Sequence, residues 1–252
     1  MSARYDCADA AQREAGLAAA LAAVQRGGLL VFPTDTVYGI GGDAFTPSAV
    51  SAMAEVKGRG RNAPPPVLVG SVRAAAALAE SLGAFGQDLI DEFWPGALTL
   101  LFRASSTLKW DLGDNMGTVA LRMPLHPVAL ELLRRTGPLA VTGAHLHGMP
   151  TATTVGEAES QLGGAVAVYL DGGSCSDNVP STILDLTGTV PRMLRAGVIT
   201  IDQLRKVVPV IDLPTPPTAS GGVSDVSGAT DSPDDKPAEP HPLAGGDAGP
   251  GS

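Results

Sequence analysis

Short apolar runs alternate with alanine- and leucine-rich stretches of helical length along the first two hundred residues. That alternation restricts the chain to a sheet covered by helices. Residues 8–25 predict a helix stopped by Gly27. Leu29–Phe32 predicts a strand ended by Pro33, and Pro47–Val56 a helix with proline in its first turn. Val67–Val69 reads as a strand, with helices over Ser71–Leu82 and Phe85–Phe93, the latter stopped by Trp94-Pro95-Gly96. Strands are expected at Ala97–Phe102, Thr118–Arg122, Leu139–Thr142, Val166–Leu170, Thr182–Leu186 and Arg192–Arg195. Helices are expected at His126–Arg135 and Ile201–Val207. The later strands follow one another without a helix between every pair, so the sheet should be mixed rather than strictly parallel. The expectation is a single α/β domain over residues 1–208.

The 44 residues from 209 to 252 differ in kind. They contain no Phe, Trp or Tyr, and glycine plus proline supply 16 of them. Such a segment cannot bury enough apolar surface to offset chain entropy, and a disordered tail is expected. It carries seven acids and one base, so −6 of the net charge of −9 belongs to it. The remaining −3 leaves room for a local basic pocket but not for a broad nucleic-acid-binding face. No apolar run approaches the ~20 residues of a membrane span. The first residues lack the basic-then-apolar order of a signal peptide. Two cysteines, Cys7 and Cys175, make neither a disulfide framework nor a four-ligand zinc site. A cytoplasmic location without membrane contact is the expectation.

Three segments carry chemistry. Pro33–Gly42, PTDTVYGIGG, follows a buried strand and is too dense in hydroxyls and glycines for a plain connection. It is either a binding loop or a polar turn in which Asp35 and Thr36 cap the next element. Lys57-Gly58-Arg59-Gly60-Arg61 alternates cations with glycine, which suits phosphate oxygens, or forms a solvated loop at a helix C-terminus. Arg122 and Arg195 end two strands, where a guanidinium can fork onto a substrate carboxylate or a neighbouring aspartate. His145 and His147 form an H-x-H pair without an evident third metal ligand and read as surface histidines, with no metal site expected. Cys175 in its glycine turn reads as a bystander rather than a nucleophile.

With these residues in view the chain resembles the YrdC-like threonylcarbamoyl-adenylate synthases. The resemblance is carried by PTDTVYGIG (33–41), KGR (57–59), WPGALTLL (94–101), TVALRMPLHP (118–127), GMPTATT (148–154), PSTILDL (180–186) and MLRAG (193–197). It implies an open, twisted mixed sheet around a cationic concave groove. It further implies synthesis of threonylcarbamoyl-AMP and pyrophosphate from L-threonine, bicarbonate and ATP, with Mg²⁺ accompanying the nucleotide. A partner transferase would then modify tRNA. On this resemblance Thr36, Arg122 and Ser181 hold L-threonine, while Lys57, Arg59, Thr118, His145, Thr153 and Arg195 face ATP. Lys57 and Arg59 would supply the catalytic charge.

The chain also departs from the pattern. Gly143-Ala144-His145 stands where the family usually has Ser-Ala-Asn. Gly143 offers no hydroxyl, and His145 replaces only part of the asparagine's hydrogen bonding. The loop after Arg59 is longer than usual, Gly70 stands where a histidine is common, and the tail is too short for the extra domain of longer members. These departures carry an alternative expectation: a drifted nucleotide- or RNA-binding homologue with weak or no synthase activity.

Overall fold

The computed structural model describes residues 2–175 and 179–212, so the expected tail lies outside the described residues from 213 on. In chain order, β1 (Ala3–Asp6) leads to α1 (Ala10–Gln25), β2 (Leu30–Phe32), β3 (Gly39–Asp43), α2 (Pro47–Val56), β4 (Val67–Leu68), α3 (Val72–Leu78) and α4 (Gly83–Phe93). There follow β5 (Leu98–Arg103), β6 (Thr118–Arg122), α5 (Pro127–Thr136), β7 (Leu139–Gly143), α6 (Val155–Leu162), β8 (Val168–Asp171), β9 (Thr182–Asp185), β10 (Arg192–Arg195) and α7 (Ile201–Arg205). The described strands make one mixed sheet in the order β1-β8-β2-β3-β7-β4-β6-β5-β9-β10. The expected α/β class holds. No helix among the described residues is long and apolar enough to cross a membrane.

Local signals explain most boundaries. The Asp9 carboxylate accepts the Gln12 amide at 2.8 Å and caps α1, and Gly27 takes the left-handed φ of 75° that ends it. Pro47 opens α2 at a position where its missing N–H costs nothing. The helix expected over Ser71–Leu82 stops at Leu78, because the next residues turn extended and the Glu80 amide bonds Arg103 O at 2.9 Å. Chain pairing also runs past Val208. Val210 is buried, the Met193 amide bonds Ile211 O, and the Ile211 amide bonds Pro191 O, both at 2.9 Å.

Side chains that alternate along a strand separate two hydrophobic cores. On one face Val31, Tyr38, Ile40, Ala140 and Tyr169 pack with α2, α3, α4 and α6. On the other, Leu30, Phe32, Val141 and Leu170 pack under α1 and α5, through residues such as Leu17, Val24 and Leu132. β2, β7 and β8 are thus buried on both faces, as near-continuous apolar runs require. β5 differs. Leu98, Leu100 and Phe102 join the first core, while the alternate residue Thr99 faces away from it. Thr99 and Ile183 of β9 line an open groove on the face that α1 and α5 cover elsewhere.

A chain ending at Val208 should melt below one ending at Asp212. Losing the Val210 burial and the Ile211 pairing is worth about 2 kcal/mol, or roughly 4–8 °C for a domain of this size. Thermal melting of the two truncations checks this.

Candidate active site

The groove begins at the turn after β2. Thr34 Oγ1 accepts the amides of Thr36 and Val37, both at 3.2 Å, and donates to Val37 O at 2.6 Å. This hydroxyl-built turn presents Thr34 and Thr36 to the groove and sends Asp35 the other way. Asp35 accepts from Arg122 Nη2 at 2.6 Å and from the Leu125 amide at 2.9 Å. The same guanidinium donates from Nε to Gly96 O at 2.9 Å and from Nη1 to Thr36 Oγ1 at 3.0 Å. Burial lowers the proton affinity of Arg122, and Asp35 works against that effect. Arg122 thus has the neighbouring aspartate as a partner, and Asp35 bonds Arg122 and Leu125 rather than capping the element that follows it.

The opposite wall comes from β5, β9 and β10. Thr99 Oγ1 and Ser181 Oγ share a hydrogen bond at 2.8 Å. Arg195 grips Ser181, donating from Nε and Nη2 to its carbonyl at 3.0 and 2.8 Å and from Nη2 to its hydroxyl at 2.9 Å. A bulge between Met193 and Arg195 places Arg195, rather than Leu194, opposite Ile183. Without it regular alternation would turn Arg195 to the other face. Burial, then Arg122 and Arg59, lower the proton affinity of Arg195.

The third wall joins the basic loop to the end of β7. Lys57 is only 1% exposed, and its amine donates to Gly143 O at 2.7 Å and to His145 O. Burial, reinforced by Arg59, lowers it to about 8. Lys57 therefore braces the backbone of 143–145 and does not line the groove, whereas Arg59 does. Arg61 is drawn away, forking onto Asp111 at 3.0 and 2.7 Å. His145 is half-buried: it lines the groove, and its Nδ1 is buried with no partner among the described residues. Burial first, then Lys57, Arg59 and His147, lower it to about 4, so the imidazole is neutral at pH 7.

These walls enclose a cavity of about 300 Å³ into which Thr36, Arg59, Arg122, His145, Ser181 and Arg195 converge. Thr118 and Thr153 are elsewhere. The Thr118 hydroxyl bonds Asn115 O at 2.7 Å at the far end of β6, roughly 13 Å along the strand from Arg122. The Thr153 hydroxyl bonds Glu157 at 3.0 Å in the cap of α6. Thr34, Thr99, Thr142 and Thr151 line the groove without having been singled out. The density of hydroxyls in PTDT is the signal that pointed to the first. Position 70 packs on α5, where a Cβ would lie 2.9 Å from Arg134 N, so glycine there lets the helix backbone approach closely. Cys175 Sγ approaches Thr34 O at 3.4 Å, and burial raises its thiol, which suits packing rather than attack. Among the described residues no group of three or more His, Cys, Asp or Glu could hold a metal ion.

The sequence model of the Sua5–YciO–YrdC family, described as "Telomere recombination", matches residues 22–197. A Mycobacterium tuberculosis protein provisionally named threonylcarbamoyl-AMP synthase is 50% identical over 210 residues, 83% of this chain and 97% of its own. The Bacillus subtilis threonylcarbamoyl-AMP synthase is 36% identical over 194 residues, 76% of this chain and 56% of its own. Among solved structures, P. abyssi Sua5 complexed with L-threonine is similar with a TM-score of 0.76 at 29% identity, over 84% of this chain and 62% of that one. E. coli YciO shares the fold at a TM-score of 0.72 and 22% identity, over 81% of this chain and all of its own. The family match spans every residue that lines the groove, and the chain belongs to the Sua5–YciO–YrdC family.

Proposed function

We propose that the groove makes threonylcarbamoyl-AMP from L-threonine, bicarbonate and ATP. The observation that carries this reading is the convergence of Arg59, Arg122 and Arg195 with a set of hydroxyls in one cavity, on a chain homologous to named synthases. L-Threonine sits at Thr36, Arg122 and Ser181. Gly96, Thr36 and Asp35 each accept one N–H of Arg122, which fixes the guanidinium and leaves one N–H on each terminal nitrogen for a carboxylate. ATP lies toward Arg59, His145 and Arg195.

The reaction needs no covalent enzyme intermediate. The threonine amine adds to bicarbonate with loss of water, giving a carbamate. A carbamate oxygen then attacks the α-phosphorus of ATP, and the bond to the β-phosphate oxygen breaks to release pyrophosphate. Catalysis is positioning plus stabilisation of charge on the phosphates by Arg59 and Arg195. Lys57 contributes by holding the backbone of 143–145. The donors that line the groove are cationic or neutral, a poor fit to a protein-held Mg²⁺, so that ion would travel with the triphosphate. The product is an activated acyl group, whose consumer is a transferase acting on tRNA adenosine.

Pyrophosphate release from ATP, with and without L-threonine and bicarbonate, tests the reading. Release that requires both co-substrates is expected. ATP binding without release would instead favour the drifted homologue, and salt-dependent RNA binding without turnover the RNA-binding one.

A pH dependence follows from Lys57. As pH rises through about 8 its amine loses its proton, and the carbonyls of Gly143 and His145 lose a charged donor. Turnover should therefore fall on the alkaline side with a midpoint near 8. Rates measured between about pH 6.5 and 9.5 check this, and a profile flat through about pH 9 would remove Lys57 from the account.

A further inference from the structure

Arg59 is the groove arginine with the least to hold it. Arg122 and Arg195 each make three hydrogen bonds, whereas the Arg59 guanidinium makes one among the described residues, a long one of 3.4 Å from Nη1 to Thr142 Oγ1. Its backbone lies between Gly58 and Gly60 and is little restricted. The side chain also lines two cavities at once, the groove and a smaller one of about 50 Å³ against α2, lined by Met53, Ala54, Pro65 and Leu112 among others. Charge opposes its position. Burial and then Arg59 lower the proton affinity of Lys57, and burial, Arg122 and then Arg59 lower that of Arg195. Like charges therefore push Arg59 outward, and its own contacts do little against that push.

Two residues on, Arg61 is gripped from outside the groove. Its guanidinium forks onto Asp111, from Nη1 at 3.0 Å and from Nη2 at 2.7 Å, and its Nε lies 3.5 Å from Asp114 Oδ1. The backbones are joined as well, the Asp114 amide donating to Arg61 O at 2.8 Å. Gly113, at a φ of 103°, passes so close that a Cβ there would stand 2.5 Å from the same oxygen. The segment that receives Arg61 is itself anchored: Leu112 is buried in the first core, and Trp110 stacks on Phe45 with ring centroids 5.6 Å apart. All three charged groups are exposed, so one such pair alone would contribute little. Here a bidentate fork, a second carboxylate and a backbone bond act together on one short loop.

We propose that Arg61, clasped by Asp111 and Asp114, is a latch that holds the basic loop closed and so aims Arg59 at the phosphates of the nucleotide. The inference deepens the ATP reading given above and rests on it. Arg61 is a positioning residue: it faces away from the groove and acts through Arg59. By charge alone, two carboxylates near a site for a polyanion would oppose binding. As parts of the latch they favour it.

The test is titration of ATP into the parent, Arg61→Ala, Asp111→Asn/Asp114→Asn, Arg59→Ala and Arg59→Ala/Arg61→Ala. Asparagine at 111 keeps an acceptor for the Gly113 amide, which bonds Asp111 Oδ1 at 3.1 Å. Arg61→Ala and the asparagine pair should each weaken ATP binding about fivefold, with L-threonine affinity changed by less than about twofold. In the Arg59→Ala background, Arg61→Ala should cause no further loss. Hydrogen exchange of the ligand-free protein reads the latch itself: the Gly58 and Arg59 amides, bonded to Glu55 O at 3.0 Å and Ala54 O at 2.9 Å, should exchange faster in both latch variants. Tighter ATP binding by the asparagine pair would overturn the proposal, because the carboxylates would then act only as repelling charges. An equal Arg61→Ala loss with and without Arg59 would overturn it too, because Arg61 would then act on the nucleotide directly. Unchanged exchange in both variants would show that no latch exists. A parent that binds no ATP would refute the nucleotide reading and the aiming role with it, while the exchange rates would still decide whether Arg61 holds the loop.

Discussion

The buried pair between Asp35 and Arg122 is the interaction on which the groove depends. A guanidinium removed from water costs several kcal/mol unless a charge and hydrogen bonds meet it. Asp35, Thr36 and Gly96 together meet it, and they come from two distant parts of the chain. The pair therefore ties the turn after β2 to the end of β6 and, through the Leu125 amide, to the approach of α5. Removing either partner alone would strand a charge in the interior, a loss of about 3–5 kcal/mol. With Asp35 behind it, Arg122 offers a ligand directed N–H groups rather than a bare charge. The excess positive charge that an anionic ligand meets comes from Arg59 and Arg195.

A second constraint is that the helices on one face stop short. α1 and α5 cover that face over β2, β7 and β8, but Thr99, Ile183 and Arg195 line open space farther along the sheet. The site is the uncovered remainder of a sheet face. Its polar residues stand at strand positions that would be core positions if a helix lay above them. Gly39 belongs to the same design: a Cβ there would come within 2.7 Å of Val141 Cγ1, so glycine lets the neighbouring strand close the groove floor.

Most of the fold was legible because its strands are apolar and its helices are punctuated by Pro, Gly and capping residues. Pro47–Val56, Thr118–Arg122 and Arg192–Arg195 have the boundaries that their patterns predicted. Three elements were not read. β1 is a short edge strand with alternating half-exposed residues and little apolar signal. β3 is hidden in the glycines of PTDTVYGIGG, because a strand packed under Val141 needs glycine where propensity calls for branched residues. α6 carries a recognisable signal, the capping box of Thr154 and Glu157, inside a segment read only for its threonines. In the site, hydroxyls and arginines could be named from sequence, but their orientation could not. The alternation of Lys57 and Arg59 around a glycine does not tell which cation braces the backbone and which faces the groove. Nor does the sequence reveal the bulge that turns Arg195 inward.

The proposed role of Arg122, held by Asp35 and offered to the carboxylate of threonine, is the centre of the functional reading. Its most direct test is calorimetric titration of L-threonine into the parent and into Asp35→Asn/Arg122→Gln, which removes both charges together and leaves neither stranded. Loss of the aimed, charged donors should weaken threonine binding by about ten- to a hundredfold, with ATP affinity little changed. Threonine affinity equal to the parent's in a folded double variant would contradict the account.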